Sequence, residues 1–144
     1  MIMTIRPMTE ADADAVAQLS GELGYPSDPK AVRRRIRSVD PADLLIVAVN
    51  EADVPLGFIQ GRMTRTVEAE ARVHIVGLVV SSKARRAGVG RRLIAEVEHW
   101  AAITDAEMVV VKSNTARAEA HEFYPAAGYE KLKTQAVYVK RLRQ

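Results

Sequence analysis

The chain of 144 residues contains no cysteine, which removes disulfides, thiolate metal sites and a thiol nucleophile. Aromatic residues make up only 5% of it, and none interleaves with the basic clusters as a base-stacking surface requires. No stretch approaches the roughly 18 apolar residues of a bilayer span. The opening Met1-Ile-Met-Thr-Ile-Arg-Pro7 is interrupted too soon to be a secretory signal. These absences lead to the expectation of a cytoplasmic protein without membrane contact. The three histidines, His74, His99 and His121, form no i, i+4 pair, so no metal site is expected.

What is present is ordinary for a globular protein: 48% hydrophobic and 27% charged residues, enough chain for one domain, 1–144, with a real core. The net charge of +3 is unevenly placed. Arg33, Arg34, Arg35 and Arg37 form one group, Lys83, Arg85, Arg86, Arg91 and Arg92 a second, and Lys140, Arg141 and Arg143 a third. The first group reads as a solvated helix face, with an anion-attracting rim as the alternative.

Thr9, followed by Glu10 and Asp12, is a helix start with acids in the first turn. Gly24-Tyr25-Pro26 ends that helix, and Asp28-Pro29 opens a second one. Leu44 to Val49 reads as a buried strand, and Asn50 to Val54 as a turn. Gly57 to Met63 is the return strand of a hairpin. A long strand follows over Arg72–Val80, then a helix to about Ala102, a strand at Met108–Lys112, and a helix from about Ala116 to Ala126. Tyr129–Leu132 and Ala136–Leu142 complete the pattern as a last pair of strands. The fold class is α/β: a mixed, mostly antiparallel sheet with helices on both faces and one parallel crossover between Val80 and Met108.

The densest chemical signal is Val79-Val-Ser-Ser-Lys-Ala-Arg-Arg-Ala-Gly-Val-Gly-Arg-Arg-Leu-Ile94. A strand runs into a basic loop whose glycines open a helix. Backbone N–H groups at such a helix start, with arginines around them, suit a phosphate or pyrophosphate. A P-loop is excluded because Gly90 precedes Arg91-Arg92 rather than Lys-Ser or Lys-Thr. A dinucleotide fingerprint is excluded because Leu93 stands where the third glycine belongs. The plain alternative, a tight turn that opens a helix, does not require two glycines and five basic residues together.

Arg85-Arg-Ala-Gly88-Val-Gly90, after the Leu78-Val-Val80 strand end, resembles the GNAT superfamily of acetyl-CoA-dependent N-acetyltransferases. Ser113-Asn114, Ala120-His-Glu-Phe-Tyr124 and Gly128-Tyr129 resemble that family's downstream helix-and-strand motif. The resemblance implies an acyltransferase with acetyl-CoA as cosubstrate and a cofactor slot where the strand at Met108 splays from its parallel neighbour. It implies that backbone groups of Leu78, Val79 and Val80 meet the pantetheine arm. The loop Arg85, Arg86, Ala87, Gly88, Val89, Gly90 and Arg91 would hold the pyrophosphate. Asn114 would touch the cofactor arm, cap the next helix, or do both. A homodimer through the C-terminal strands is compatible with the same resemblance.

The implied reaction is transfer of the acetyl group to a primary amine by direct attack, through a tetrahedral intermediate. An alkyl ammonium of pKa ~10.4 is neutral about once in 2,500 molecules at pH 7, so a base is needed. His74, inside the apolar run Val73–Val80, is the candidate base at a position where relatives often carry Glu; an inert interior histidine is the alternative. Glu22 and Tyr25 are further acceptor-side candidates. Tyr124 is the candidate acid for the leaving thiolate, against a plain core aromatic beside Phe123. A backbone N–H, that of Leu78, would hold the oxyanion. Pro125 departs from the polar residue expected there and would sharpen or disturb the helix at Tyr124. His121, one turn earlier, would line the same face or pack. His99 reads as surface. The expected acceptor is a small molecule. The other readings are a catalytically silent CoA-binding regulatory domain and an acetyltransferase for a protein or tRNA-linked amine, with nucleic acid disfavoured.

Overall fold

The computed structural model describes residues 2–113 and 118–143. The chain falls into two compact units, 1–112 and 113–144.

The first unit holds a five-stranded sheet of order β1-β2-β3-β4-β5, with strands Thr4–Pro7, Leu44–Val49, Pro55–Thr64, Arg72–Val80 and Met108–Val111. The first four are antiparallel in sequence order, and β5 joins β4 in parallel. Between β1 and β2 lie α1 (Ala13–Glu22) and α2 (Pro29–Ser38), and between β4 and β5 lies α3 (Val89–Ile103).

Strand alternation assigns the two faces. Leu45, Val47, Val49 and Phe58 pack with Val16 and Ala17 of α1 and Val32 and Ile36 of α2. On the opposite face, Gly61 turns toward Val97 and Trp100 of α3. There Ile59, Val73, Leu93 and Val97 are completely buried. Helices therefore cover both faces of the sheet, as the pattern of two amphipathic helices, a hairpin and a crossover helix requires.

Local chemistry sets the element ends. The Asp28 carboxylate accepts from the Lys30 N–H at 3.2 Å with Pro29 in the first turn of α2, an N-cap as read from the sequence. The helix start at Thr9 is a 3-10 turn, Glu10–Asp12, ahead of α1. Its Thr9 N–H donates to Asp12 at 2.8 Å. The Asn50 side chain closes the β2–β3 turn by accepting from Ala52 and Val54 N–H at 2.9 and 3.0 Å.

Asp12 is 5% exposed. Arg6 grips both its carboxylate oxygens at 2.8 and 2.9 Å and reaches Asp53 in the β2–β3 turn at 2.9 Å. The Arg6 hydrogen bond, assisted by the Thr9 N–H and opposed by burial, holds the Asp12 carboxyl below its usual range. Asp12→Asn is expected to cost about 1.5–3 kcal/mol, the scale of a hydrogen bond to a charged partner, in urea unfolding near pH 7. Because the folded carboxyl is the stronger acid, this contribution is fully present above the ordinary Asp range and is lost as pH falls from that range through the lowered folded value. Wild type and variant should therefore converge in acid.

The second unit contains α4 (Ala118–Ala126). The helix runs through Pro125 and stops one residue later. Pro125 thus removes at most one hydrogen bond near the helix end, and Gly128 at φ +94° follows it. The last pair of strands expected at Tyr129–Leu132 and Ala136–Leu142 is not formed; residues 129–143 carry no strand, and Val137, Tyr138 and Val139 are exposed. β-Branched and aromatic side chains favour extended backbone, but a strand exists only where a partner edge completes its hydrogen bonds.

Candidate active site

The site is built around the C-terminal half of β4. Its pairing with β5 covers only Arg72–Ile75 against Met108–Val111. On its other edge β4 stays paired with β3 as far as Val80↔Gly57. Five residues, Val76–Val80, therefore extend past the last rung shared with β5. The strand at Met108 thus ends while β4 continues, which leaves backbone groups of that edge without a β5 partner among the described residues.

Val76 is an extra residue in the β3–β4 ladder. Gln60 faces Gly77 and Gly61 faces Ile75, so Val76 has no opposite number and stands 47% exposed. Such a bulge bends the strand and re-aims the residues beyond it. Leu78, Val79 and Val80 follow the bulge and are half-buried.

The loop after β4 is held at its root and open at its tip. Ser81 N–H donates to the Leu56 carbonyl at 2.7 Å, and the Ser81 hydroxyl accepts from Lys83 N–H at 3.2 Å. Ala84 and Val89 are buried anchors, whereas Arg85, Arg86, Ala87 and Gly88 are exposed. Arg86 has φ +71° and Gly88 φ +82°. A left-handed non-glycine costs about 1–2 kcal/mol, a strain characteristic of functional loops. At Gly88 a Cβ would meet nothing within 4 Å, so backbone conformation alone requires glycine there. Gly88 is the N-cap of α3. The first turn of that helix, Val89, Gly90 and Arg91, thus presents its dipole end and its amides toward the loop. No acid occurs from Ser81 to Arg92.

His74 lies on β4 before the bulge, half-buried, directly opposite Arg62 of β3 and beside Val110 of β5. Burial, then the positive charges of Lys112 and Arg72, push its imidazole below the ordinary ~6.5. Near pH 7 it is a neutral ring able to accept a proton.

Tyr124 of α4 is half-buried, edge-on to Phe123 with ring centroids 5.2 Å apart and to Tyr129 at 6.0 Å. Its aromatic packing and a chemical role are compatible. His121 and His99 are exposed. Asn114 lies outside the described residues.

Glu22 ends α1 and accepts from the Ser82 hydroxyl at 3.3 Å, which ties α1 to the loop. It lines a cavity of about 260 Å³ with Gln18, Leu19, Asn50, Ser81 and Lys83. No residue of β5 borders this cavity. Tyr25 is exposed. Of the α2 arginines, Arg37 pairs with Glu10 at 2.8 Å, and Arg33, Arg34 and Arg35 are exposed, in keeping with a solvated face. Among the described residues no group of acids and histidines could hold a metal ion, and no helix is long and apolar enough to cross a membrane.

The sequence reading missed three features. The Val76 bulge has no local sequence signature. Gly57 is required because its Cβ would lie 2.8 Å from the Val79 carbonyl oxygen. The buried Asp43 carboxylate accepts from Arg62 at 3.0 Å and from Gln60 at 3.0 Å, forming a polar strip across the face that carries His74.

A central strand that outruns its parallel neighbour, a bulge at Val76 and a strained basic loop at the start of α3 thus follow one another along the chain. The chain belongs to the Acetyltransferase (GNAT) family, whose model matches residues 13–129, and it is thereby an acetyl-CoA-dependent acyltransferase.

Among solved structures it is similar to AAC(6')-Iy in complex with the bisubstrate analogue CoA-S-monomethyl-acetylneamine. The identity is 19%, covering 98% of this chain and 99% of that one, with a TM-score of 0.83. It is also similar to the aminoglycoside 6'-N-acetyltransferase AAC(6')-Ih from Acinetobacter baumannii, with 17% identity, 98% and 99% coverage and a TM-score of 0.83. A third structure, described as a transcriptional regulator from Bacillus halodurans C-125, matches at 23% identity, 97% and 100% coverage and a TM-score of 0.81. At these identities the likeness is one of fold. No curated protein matches in sequence.

Proposed function

We propose that residues 1–144 act as one N-acetyltransferase domain that acetylates a primary amine of a small molecule. The observation that carries this is the run of β4 past its pairing with β5, Val76–Val80, into a strained loop at the start of α3. Exposed backbone along that edge suits an extended pantetheine arm, and an acid-free amide cradle with arginines suits a pyrophosphate. Acetyl-CoA supplies the activated acetyl thioester.

In this reading Leu78, Val79 and Val80 bind the arm through their backbone, and Arg85, Arg86, Ala87, Gly88, Val89, Gly90 and Arg91 hold the pyrophosphate. Asn114 is assigned to the arm from its motif alone. His74 takes the proton from the attacking amine as the new C–N bond forms. The Leu78 N–H stabilises the negative oxygen, and Tyr124 gives its proton to the sulfur as the C–S bond breaks. A phenol near pKa ~10 can serve a thiolate whose conjugate acid lies near ~8.5, because the gap is small.

The test is thiol release from acetyl-CoA against a panel of amines, with Tyr124→Phe alongside wild type. Release that depends on an amine and falls about a hundredfold in the variant, with acetyl-CoA affinity retained, is the expected result. Tight acetyl-CoA binding without release for any amine would favour a second reading, a CoA-binding regulatory domain. The fold likeness to the protein described as a transcriptional regulator and the histidine at position 74 keep that reading in view. The aminoglycosides named for two of the related structures belong on the panel.

A further inference from the structure

The face of the sheet that carries His74 has an uneven charge distribution, and this bears on the acceptor. Side chains two apart on a strand share a face, as do residues directly opposite on neighbouring strands. Arg72 is two residues before His74 on β4. Arg62 is its direct opposite on β3. Val110 is its neighbour on β5, and Lys112, just past the end of that strand, continues the same parity.

Arg62 is neutralised by Asp43, which is 4% exposed and also accepts from Gln60. Among the described residues no ion pair is formed by Arg72 or Lys112. Arg72 donates only to the backbone carbonyl of Glu70, at 3.4 Å, and the Glu70 side chain is exposed in the loop before β4.

Asp40 adds its charge to that of Asp43 at Arg62, and the charges that act on His74 are those of Lys112 and Arg72. Glu10 pairs with Arg37 and Asp12 with Arg6. Glu22 bonds Ser82, eight positions further along the chain from His74. Glu107 alternates to the other side of β5. Among the described residues of the first unit, two cations thus stand beside the candidate base and pair with no carboxylate, and both depress its basicity.

We propose that the acceptor is a small primary amine that also carries an anionic group, carboxylate or phosphate, within a few bonds of its nitrogen. Arg72 and Lys112 take the anion, and the amine is presented to His74. A polycation would bring further positive charge against the same two side chains, and like charges at close range disfavour it. The inference rests on the acetyltransferase reading and names its substrate class. It separates this chain from the aminoglycoside-modifying proteins whose fold it shares.

The experiment compares kcat/KM for β-alanine, glutamate and O-phosphoethanolamine with that for spermidine and neamine. It is run at about pH 8, well above the lowered range in which wild-type His74 takes up its proton. Anionic amines should be preferred by about tenfold or more, the scale of a charged hydrogen bond. Lys112→Glu and Arg72→Glu should each remove that preference mainly through KM, with acetyl-CoA affinity unchanged within about twofold. β-Alanine against O-phosphoethanolamine decides which anion is favoured.

A readout independent of turnover is the His74 ring signal in the ¹⁵N-histidine-labelled, CoA-saturated protein, titrated with N-acetyl-β-alanine, N-acetylated O-phosphoethanolamine and N-acetylspermidine. Shifts with an anionic product, lost in Lys112→Glu, support the proposal. A shift with N-acetylspermidine alone, no shift with any of the three, or equal or better turnover of the cationic amines overturns it. If no amine is turned over while acetyl-CoA binds, the catalytic reading fails and the ring titration still decides the charge preference.

Discussion

His74→Ala is expected to lower kcat/KM for the amine by about 10²–10⁴, the usual contribution of a positioned general base, while acetyl-CoA affinity stays within about twofold. The variant keeps the strand, since a half-buried ring at this position packs no part of the main core. The pH dependence distinguishes a base from a packing residue. Burial and the charges of Lys112 and Arg72 favour the neutral imidazole of the free enzyme, so the acid limb that His74 gives to kcat/KM should lie below the ordinary ~6.5 and vanish in the variant. Lys112→Ala should move that limb upward, toward the ordinary value. The same shift has a stability sign. With the folded pKa below the unfolded one, the unfolded chain binds the proton first, and stability falls as pH drops below about 6.5. A variant that keeps near-wild-type kcat and an unchanged acid limb would remove His74 from the mechanism.

Gly57→Ala is expected to cost about 1–3 kcal/mol in chemical unfolding, the range for overfilling a packed interior. The new Cβ would stand 2.8 Å from the Val79 carbonyl oxygen, 3.1 Å from Val89 Cγ1 and 3.3 Å from Val80 Cα. Two of these atoms are backbone of the neighbouring strand, and Val89 is 1% exposed, so none can yield cheaply. Relief requires β3 to move from both β4 and α3 at the level of Val79–Val80. Acetyl-CoA affinity should therefore fall together with stability. Gly61→Ala is the internal control: its Cβ would meet Trp100, Val97 and Val73 at 3.4–3.6 Å, ordinary van der Waals contact. Equal stability of the two variants would show that β3 and β4 are not held as closely as the structure places them.

Several elements were legible in the sequence because their signals are local. The long strand Arg72–Val80 has the bounds read from its apolar run, and the N-cap at Asp28 with Pro29 behaves as its chemistry dictates. The loop 81–91 was legible for the same reason: two glycines, five basic residues and a helix start are consecutive, and the left-handed Gly88 is what such a turn requires. The C-terminal strands were misread because the pattern Val137-Tyr138-Val139 expresses a preference for extended backbone without supplying an edge to pair with.

The candidate site was only half legible. His74 stood out as a polar residue in an apolar run, and Tyr124 through its motif. The surroundings that give His74 its chemistry did not stand out. Asp43, Arg62 and Lys112 are 31, 12 and 38 positions away in sequence, and only the register of β3 against β4 and of β5 against β4 brings them to one face.

The sequence alone determined the order of the elements through β5 and α4, the mixed sheet and the basic glycine loop at the start of α3, because periodicity, caps and glycines act within a few residues. Tertiary structure alone decided three things: where β5 stops pairing, that Val76 is bulged, and which charges face His74. Each of these depends on strand register, a relation between distant segments that one residue of slip would invert.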